Sequence, residues 1–231
     1  MNKMVKMAML ALAFMFVSCT TDADDDSDDW NAAEVCPENG TNAYGDPNRG
    51  TFVDERDGRV YKYTTIGDQV WMAENLKYEA ENSECKEMFD GFCEIFGRYY
   101  SLAVDGKSTG TLDPEIVSKM CPRGWHVPIK DEWENLVKSM GGESNSETVY
   151  RIKSPNFWGI SSENGIGSCS FNALPSGRLG DNGSYNALFY SSFFLVNADY
   201  SESFYGNYVV LSNVAYNKNL GKGSIRCVKD N

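Results

Sequence analysis

One stretch limits the folds open to this chain more than any other: Cys121-Pro122-Arg123-Gly124-Trp125-His126-Val127-Pro128. Its two prolines hold φ near −65° and disfavour helix before them, so the segment reads as stiff and extended. Behind it Trp133, Leu136, Val137 and Met140 recur at helical spacing, and Gly141-Gly142 stands where a left-handed cap ends a helix. A cysteine heading so rigid a segment is well placed to staple it to a distant strand. The last apolar run, Gly223-Ser224-Ile225-Arg226-Cys227-Val228, offers Cys227 as the partner.

The first eighteen residues stand apart. Lys3 and Lys6 precede an apolar run from Met7 to Val17, which is too short to span a bilayer and has the form of a secretory signal. The run ends Phe16-Val17-Ser18-Cys19, which resembles a lipobox, so residues 1–18 read as a lipoprotein signal peptide and Cys19 as the lipidation site. The chain has 21 basic and 33 acidic residues, a formal net charge of −12. Cleavage before Cys19 removes Lys3, Lys6 and no acid, leaving 19 bases against 33 acids, or −14. Nucleic acid and anionic membrane surfaces both require a positive field, so contact with the membrane is expected only through the lipid. Asp22, Asp24, Asp25, Asp26, Asp28 and Asp29 form a self-repelling block that reads as a disordered tether. Acids directly after a lipidated cysteine also resemble the signals that send lipoproteins to the cell surface, which places the protein on the outer membrane, facing outward. Residues 19–49 are taken as tether and linker, and 50–231 as the folded domain.

Six cysteines remain after Cys19, an even number in an exported chain, which favours three disulfides over metal ligation or free thiols. Cys85 and Cys93 lie close enough to close a small loop. With Cys121 assigned to Cys227, Cys36 is left for Cys169, although six cysteines allow fifteen pairings and this last bond rests on remainder alone.

From Thr51 the texture becomes that of strands. Phe52-Val53, Arg59 to Ile66 and Gln69 to Met72 are separated by Asp57-Gly58 and Gly67-Asp68, both hairpin dipeptides. In the middle strand Val60, Lys62, Thr64 and Ile66 share one face, which suggests a meander with one solvated side. A polar loop around Cys85 and Cys93 follows. Phe96 to Val104 could be strand or helix, and Pro114 to Met120 reads as a short helix with proline in its first turn. Beyond Tyr150 the chain is rich in Ser, Asn and Gly, with strands expected at 189–196, 204–212 and 224–229 and little room for helices. The fold class is α+β, in one domain.

The resemblance lies in the order of several short motifs. They are Gln69-Val70-Trp71-Met72-Ala73-Glu74-Asn75-Leu76, Gly97-Arg98-Tyr99-Tyr100, Cys121 to Pro128, Glu132-Trp133 with Leu136, Ala173-Leu174-Pro175-Ser176-Gly177 and Ser224 to Asp230. In this order they resemble the Fibrobacter succinogenes major paralogous domain family, counted among C-type-lectin-like folds. The resemblance implies small antiparallel sheets, flanking helices and a long loop-rich region, and carries over no catalytic or binding residue. The chain departs from the family at Ile129, where Ser or Thr is usual. It departs again at Phe189 to Phe194, where members tend to be rich in tryptophan, and residues 143–170 align poorly.

Few residues point to chemistry. His126 is the one histidine, which rules out a two-histidine metal site, and its place between Trp125 and Val127 reads as structural. Six paired cysteines leave no thiolate nucleophile. The calcium–sugar signatures Glu-Pro-Asn, Gln-Pro-Asp and Trp-Asn-Asp do not occur in the domain, and Asp54 to Gly58 and Asp181-Asn182-Gly183 read as ordinary turns, so no cofactor or metal is expected, with calcium the one candidate left open by the acidic charge and the lectin-like resemblance. Aromatic residues between Tyr185 and Tyr216 offer apolar faces and polar tips suited to sugar rings. About two thirds read as core, leaving Tyr185, Tyr190, Tyr200 and Tyr205 as candidate ligand contacts. The expected function is that of a lipid-anchored surface lipoprotein that binds an extracellular polysaccharide or surface protein, as in adhesion, rather than catalyses, because no nucleophile–base set or carboxylate pair is visible. An exported enzyme on the same fold and a structural envelope module are the alternatives.

Overall fold

The computed structural model describes residues 29–103, 113–143, 145–159, 164–197, 201–205, 208–212 and 222–230. The expected signal peptide, Cys19 and the acidic run through Asp28 lie outside them. Trp30 to Asn48, expected as linker, is part of the fold. Asn31 caps the short helix α1 (Ala32–Val35) through its side chain, and Cys36 is buried in a disulfide with Cys169. The Trp30 indole N–H donates to the Ser139 carbonyl at 2.8 Å, and the Arg151 guanidinium lies over its ring.

The meander forms as expected. β1 (Arg49–Val53), β2 (Val60–Ile66) and β3 (Gln69–Met72) pair antiparallel in sequence order. One solvated face was expected, but only the start of β2, at Val60 and Lys62, is open. Farther along, successive side chains enter two different cores, as a two-residue period requires. Ile66 and Trp71 join one core, and Tyr61, Val70 and Met72 join the other. The sheet is buried on both sides because the second half of the chain returns to cover it.

Between the sheet and that second half come β4 (Ser83–Glu84), α2 (Phe92–Phe96), β5 (Tyr99–Tyr100) and α3 (Pro114–Met120). The α2 helix lies in what reads as polar loop; Phe92, Cys93 and Phe96 bury its inner side. In α3, Asp113 accepts from the N–H groups of Glu115 and Ile116, and Pro114 sits in the first turn, where no N–H is needed. The Cys121–Pro128 segment is not extended throughout. Gly124 takes a φ of 81° and Trp125 N–H reaches back to Pro122 O, so a turn precedes β6 (Trp125–His126).

The helix after Pro128, α4 (Lys130–Ser139), places Trp133, Leu136 and Val137 in the core, with Met140 just beyond its end. Gly141 and Gly142 both have positive φ, and Gly142 N–H closes the helix on Val137 O. At the other end Ile129 has no acceptor to offer, while Glu132 accepts the Ile129 N–H at 2.8 Å. Ile129 is 43% exposed. Ile129→Ser is therefore expected to supply the missing half of this cap and raise stability by about 1 kcal/mol. Denaturant midpoints check it, and a loss would mean that the apolar contacts of Ile129 outweigh the cap.

A further helix, α5 (Ser146–Ile152), is capped by Asn145, and its Val149 and Ile152 are buried. After it come β7 (Arg178–Leu179), β8 (Tyr185–Asn186), β9 (Ser191–Leu195), β10 (Ser201–Tyr205), β11 (Tyr208–Ser212) and β12 (Val228–Lys229). The strand expected over 204–212 is two strands, β10 and β11, paired antiparallel so that Tyr205 faces Tyr208 in register. Gly206-Asn207 separates them in the sequence, a dipeptide suited to a two-residue hairpin. β12 is shorter than the expected strand from Ser224, yet it enters the main sheet between β3 and β6, giving the order β1-β2-β3-β12-β6. The chain is thus mixed α and β with small antiparallel sheets. Among the described residues no helix is long and apolar enough to cross a membrane.

Three disulfides join Cys36 to Cys169, Cys85 to Cys93 and Cys121 to Cys227. Arg226, next to the last of these, is fully buried, with Nε on Asn75 Oδ1 at 2.9 Å. Its guanidinium also donates to the carbonyls of Phe171 and Asn172 and lies 4.5 Å from the centre of the Phe171 ring. Burial pulls its pKa down to about 9, still high enough to keep the cation at neutral pH.

Candidate binding surface

His126 is held by carboxylates on both sides. Its Nδ1 lies 2.8 Å from Asp230 Oδ1, and its Nε2 lies 2.8 and 3.0 Å from the two oxygens of Glu132. The ring thereby ties β6 to the first turn of α4 and to the chain end after β12. With both nitrogens engaged, neither is free as a general base. The Glu132 hydrogen bond, with Asp230 adding to it, raises the His126 pKa above its usual value despite partial burial. A raised folded pKa means that this contribution to stability is complete below the unfolded imidazole value of about 6.5 and fades as pH climbs through the folded value. The thermal midpoint should therefore fall between slightly acidic and alkaline pH by more in the wild type than in His126→Gln. Parallel pH profiles would show that the contacts carry no linkage.

The sequence-derived tyrosines part company. Tyr185 is half-buried: its hydroxyl donates to the Lys86 carbonyl, and its ring stands edge-on to Phe92 and Tyr99, each at 5.6 Å. Burial lifts its pKa to about 12, so it is a neutral supporting group rather than an open contact. Tyr190 is exposed. Tyr200 lies outside the described residues, as does the side chain of Tyr205 in β10.

Around Tyr190 lies a surface that sequence reasoning missed. Phe92 and Phe96 stack at 4.6 Å in a small buried cluster under α2. Three rings meet this pair edge-on: Phe89 against Phe92 at 5.3 Å, and Phe157 and Phe189 against Phe96 at 5.4 and 5.8 Å. Phe89 and Phe157 are more than two-fifths exposed, and Met88 and Ile95 extend the apolar area. The Tyr190 ring is beside Gly159, where an added Cβ would come within 3.0 Å of it. Gly159 N–H in turn donates to Phe189 O at 2.7 Å.

The backbone here is unusual. Phe157, Ala187 and Phe189 have φ of 75°, 53° and 67°, in the left-handed region that bulky residues avoid. Such conformations cost roughly 1–3 kcal/mol each and persist only where surrounding contacts impose them. Here Phe189 N–H is fixed to Pro175 O at 2.9 Å, and the Cys85–Cys93 bond anchors α2 underneath. The result is a set of aromatic rings turned outward on strained backbone over a rigid base.

The family model described as the Fibrobacter succinogenes major domain matches residues 64–229. The chain belongs to this family. No curated protein and no solved structure matches the chain. The Fibrobacter succinogenes major domain thus runs from the end of β2 to β12 and takes in most of both cores and the whole aromatic surface, while Cys36 and Tyr61 reach those cores from before it. Its Asp54-side turn lies just outside that span; the Asp54 carboxylate is taken by Arg56 at 2.7 Å. Among the described residues one group has metal-ligand composition, Cys85, Glu87 and Cys93, but its two sulfurs are joined to each other. No motif signalled Phe89 or Phe157, because neither falls in a run with helical or strand periodicity and the two lie 68 positions apart in the sequence. Only the stacked pair Phe92 and Phe96, which meets Phe89 on one ring and Phe157 on the other, brings them together.

Proposed function

We propose that this chain is a cell-surface lipoprotein, anchored through Cys19, whose lectin-like domain binds an extracellular polysaccharide on the surface formed by Phe89, Phe157, Phe189 and Tyr190. One observation carries the reading: Phe157, exposed, and Phe189, partly buried beside it against Phe96, are both held at left-handed φ next to exposed Tyr190, so the fold bears backbone strain to fix aromatic rings at its surface. Aromatic faces of this kind stack on the apolar faces of sugar rings, while the Tyr190 hydroxyl reaches sugar hydroxyls. The lipobox-like leader and the acidic tether support an outward-facing anchor on the outer membrane. Disulfide staples and small antiparallel sheets support the lectin-like fold.

The test is a glycan array, with and without calcium, probed with wild type, Tyr190→Ala and Phe157→Gly. Phe157→Gly removes a ring and relieves a left-handed residue. It should hold or gain stability, by up to about 1 kcal/mol, while glycan binding falls about tenfold. A glycan bound equally by all three proteins would move the site elsewhere. Binding to no glycan, with capture of a surface protein lost in the same variants, would favour the protein-ligand reading that Met88 and Ile95 already suit.

A further inference from the structure

A second site is lined by none of the residues of the aromatic surface. Between β1, β2 and the 168–172 loop is a cleft of about 330 Å³, lined by Arg49, Lys62, Glu74, Ser170 and Asn172. That volume is at the small end of ligand pockets and suits one compact polar group.

The charges in the cleft are unequally satisfied. Glu74 accepts the Lys62 backbone N–H at 2.8 Å through one carboxylate oxygen and faces the Lys77 ammonium at 3.2 Å through the other. Arg49 meets exposed Glu38 at 2.7 Å and the Cys36 carbonyl at 3.3 Å, while its buried Nε finds no acceptor among the described residues. The Lys62 ammonium is exposed and forms no hydrogen bond or ion pair among the described residues, and the same holds for the Ser170 hydroxyl and the Asn172 amide. A chain with a net charge of −12 has many acids with which to neutralise a lysine, so a cleft with an unanswered one is notable.

The facing wall is built rather than loose. Ser170 and Asn172 have φ of 58° and 51°, the other two left-handed positions outside glycine among the described residues. The loop that carries them is fixed at three points. Cys169 is bonded to Cys36, its carbonyl accepts from Thr64 Oγ1 at 2.7 Å, and Arg226 grips the carbonyls of Phe171 and Asn172 from behind. Neutral hydroxyl and amide groups are thus held opposite a free ammonium, with their ordering cost already met in folding.

We propose that this cleft binds a hydroxylated monocarboxylate, such as the uronate unit of an acidic glycan. The carboxylate pairs with Lys62, and the sugar hydroxyls meet Ser170, Asn172 and Glu74. A dianionic phosphate suits it less well, because Glu74 would face the second charge. The site is distinct from the aromatic surface and does not depend on it.

Calorimetric titration of the mature full-length chain in detergent tests the assignment with four probes: a galacturonate trimer, free galacturonate, the neutral galactose trimer and inorganic phosphate. The acid trimer should bind, and Lys62→Met should weaken it about tenfold, the loss of one charge-assisted contact. Lys62→Arg should retain most of the affinity. Ser170→Gly, which relieves its left-handed residue and so should fold at least as well, should still weaken binding about threefold. Free galacturonate binding as tightly as the trimer would identify a free acid as the ligand; tighter trimer binding would identify a polymer. Either supports the site. Equal affinity for the neutral trimer or for phosphate, no binding of either acid, or an unchanged Lys62→Met would overturn it. Loss of acid-trimer binding in Tyr190→Ala, with Lys62→Met unaffected, would overturn it too and place the acid on the aromatic surface.

Discussion

Replacing Cys121 and Cys227 together by alanine should cost the domain about 4–5 kcal/mol, nearly twice the roughly 2.5 kcal/mol expected for the Cys85/Cys93 pair. The difference comes from the unfolded chain. The first bond spans a sequence separation of 106 and the second one of 8, and the restriction a crosslink places on the unfolded ensemble grows with the logarithm of the loop. Native packing adds to the contrast, since Cys227 is fully buried in the core beside Val127 and Ile225, whereas Cys85 is partly exposed. Cys36–Cys169, with a separation of 133, should rank with the larger effect. Losses of this size approach the whole stability of an ordinary domain, so the Cys121/Cys227 variant is expected to be partly unfolded at 37 °C. Denaturant melts of the three double variants, read by near-ultraviolet circular dichroism, decide the order. Equal midpoints for the long and short staples would mean that residual structure in the unfolded chain already holds its ends together.

Arg226→Met should cost about 3 kcal/mol or more. The methionine fills much of the volume, but the Asn75 side-chain oxygen and the Phe171 and Asn172 carbonyls lose their donor inside the core. A buried acceptor left unmet costs roughly 1–3 kcal/mol, and three share this one guanidinium. Arg226→Lys should recover only part of the loss, because an ammonium cannot address acceptors on three sides with a planar fork or lie flat on Phe171. Hydrogen exchange provides the second measurement. Amides of residues 171–173 and 75–76 should lose protection together, since Arg226 is what joins the two segments. A variant within 1 kcal/mol of wild type would show that water takes over these carbonyls and that the arginine is not the centre of the fold.

Much of this architecture is legible in the residues themselves, and for local reasons. The Asp57-Gly58 and Gly67-Asp68 turns define the three-stranded meander. Trp133, Leu136, Val137 and Met140 define the buried stripe of α4, and Gly141-Gly142 its end. Six exported cysteines with one rigid segment and one terminal strand lead to the same three pairs that the structure contains. Each of these signals is carried by neighbours within a turn or a strand, or by the small number of ways to pair six thiols.

What tertiary structure alone decided lies wherever a residue's environment is made by chain far away in sequence. β2 lost its solvated face because α4, Phe171 and Phe194 cover one side and Trp125, Val127 and Ile225 the other. Trp30 to Asn48 reads as linker by composition but is held by Cys169, Ser139 and Arg151, none of them nearby in sequence. His126 reads as a hydrogen-bonded residue, yet its partners Glu132 and Asp230 meet only because β12 inserts beside β6. The candidate surface is the clearest case. Left-handed φ at Phe157 and Phe189 contradicts the local preference of both residues, so no propensity could announce it. The conformation exists because Phe96, Pro175 and Gly159 impose it from three separate segments.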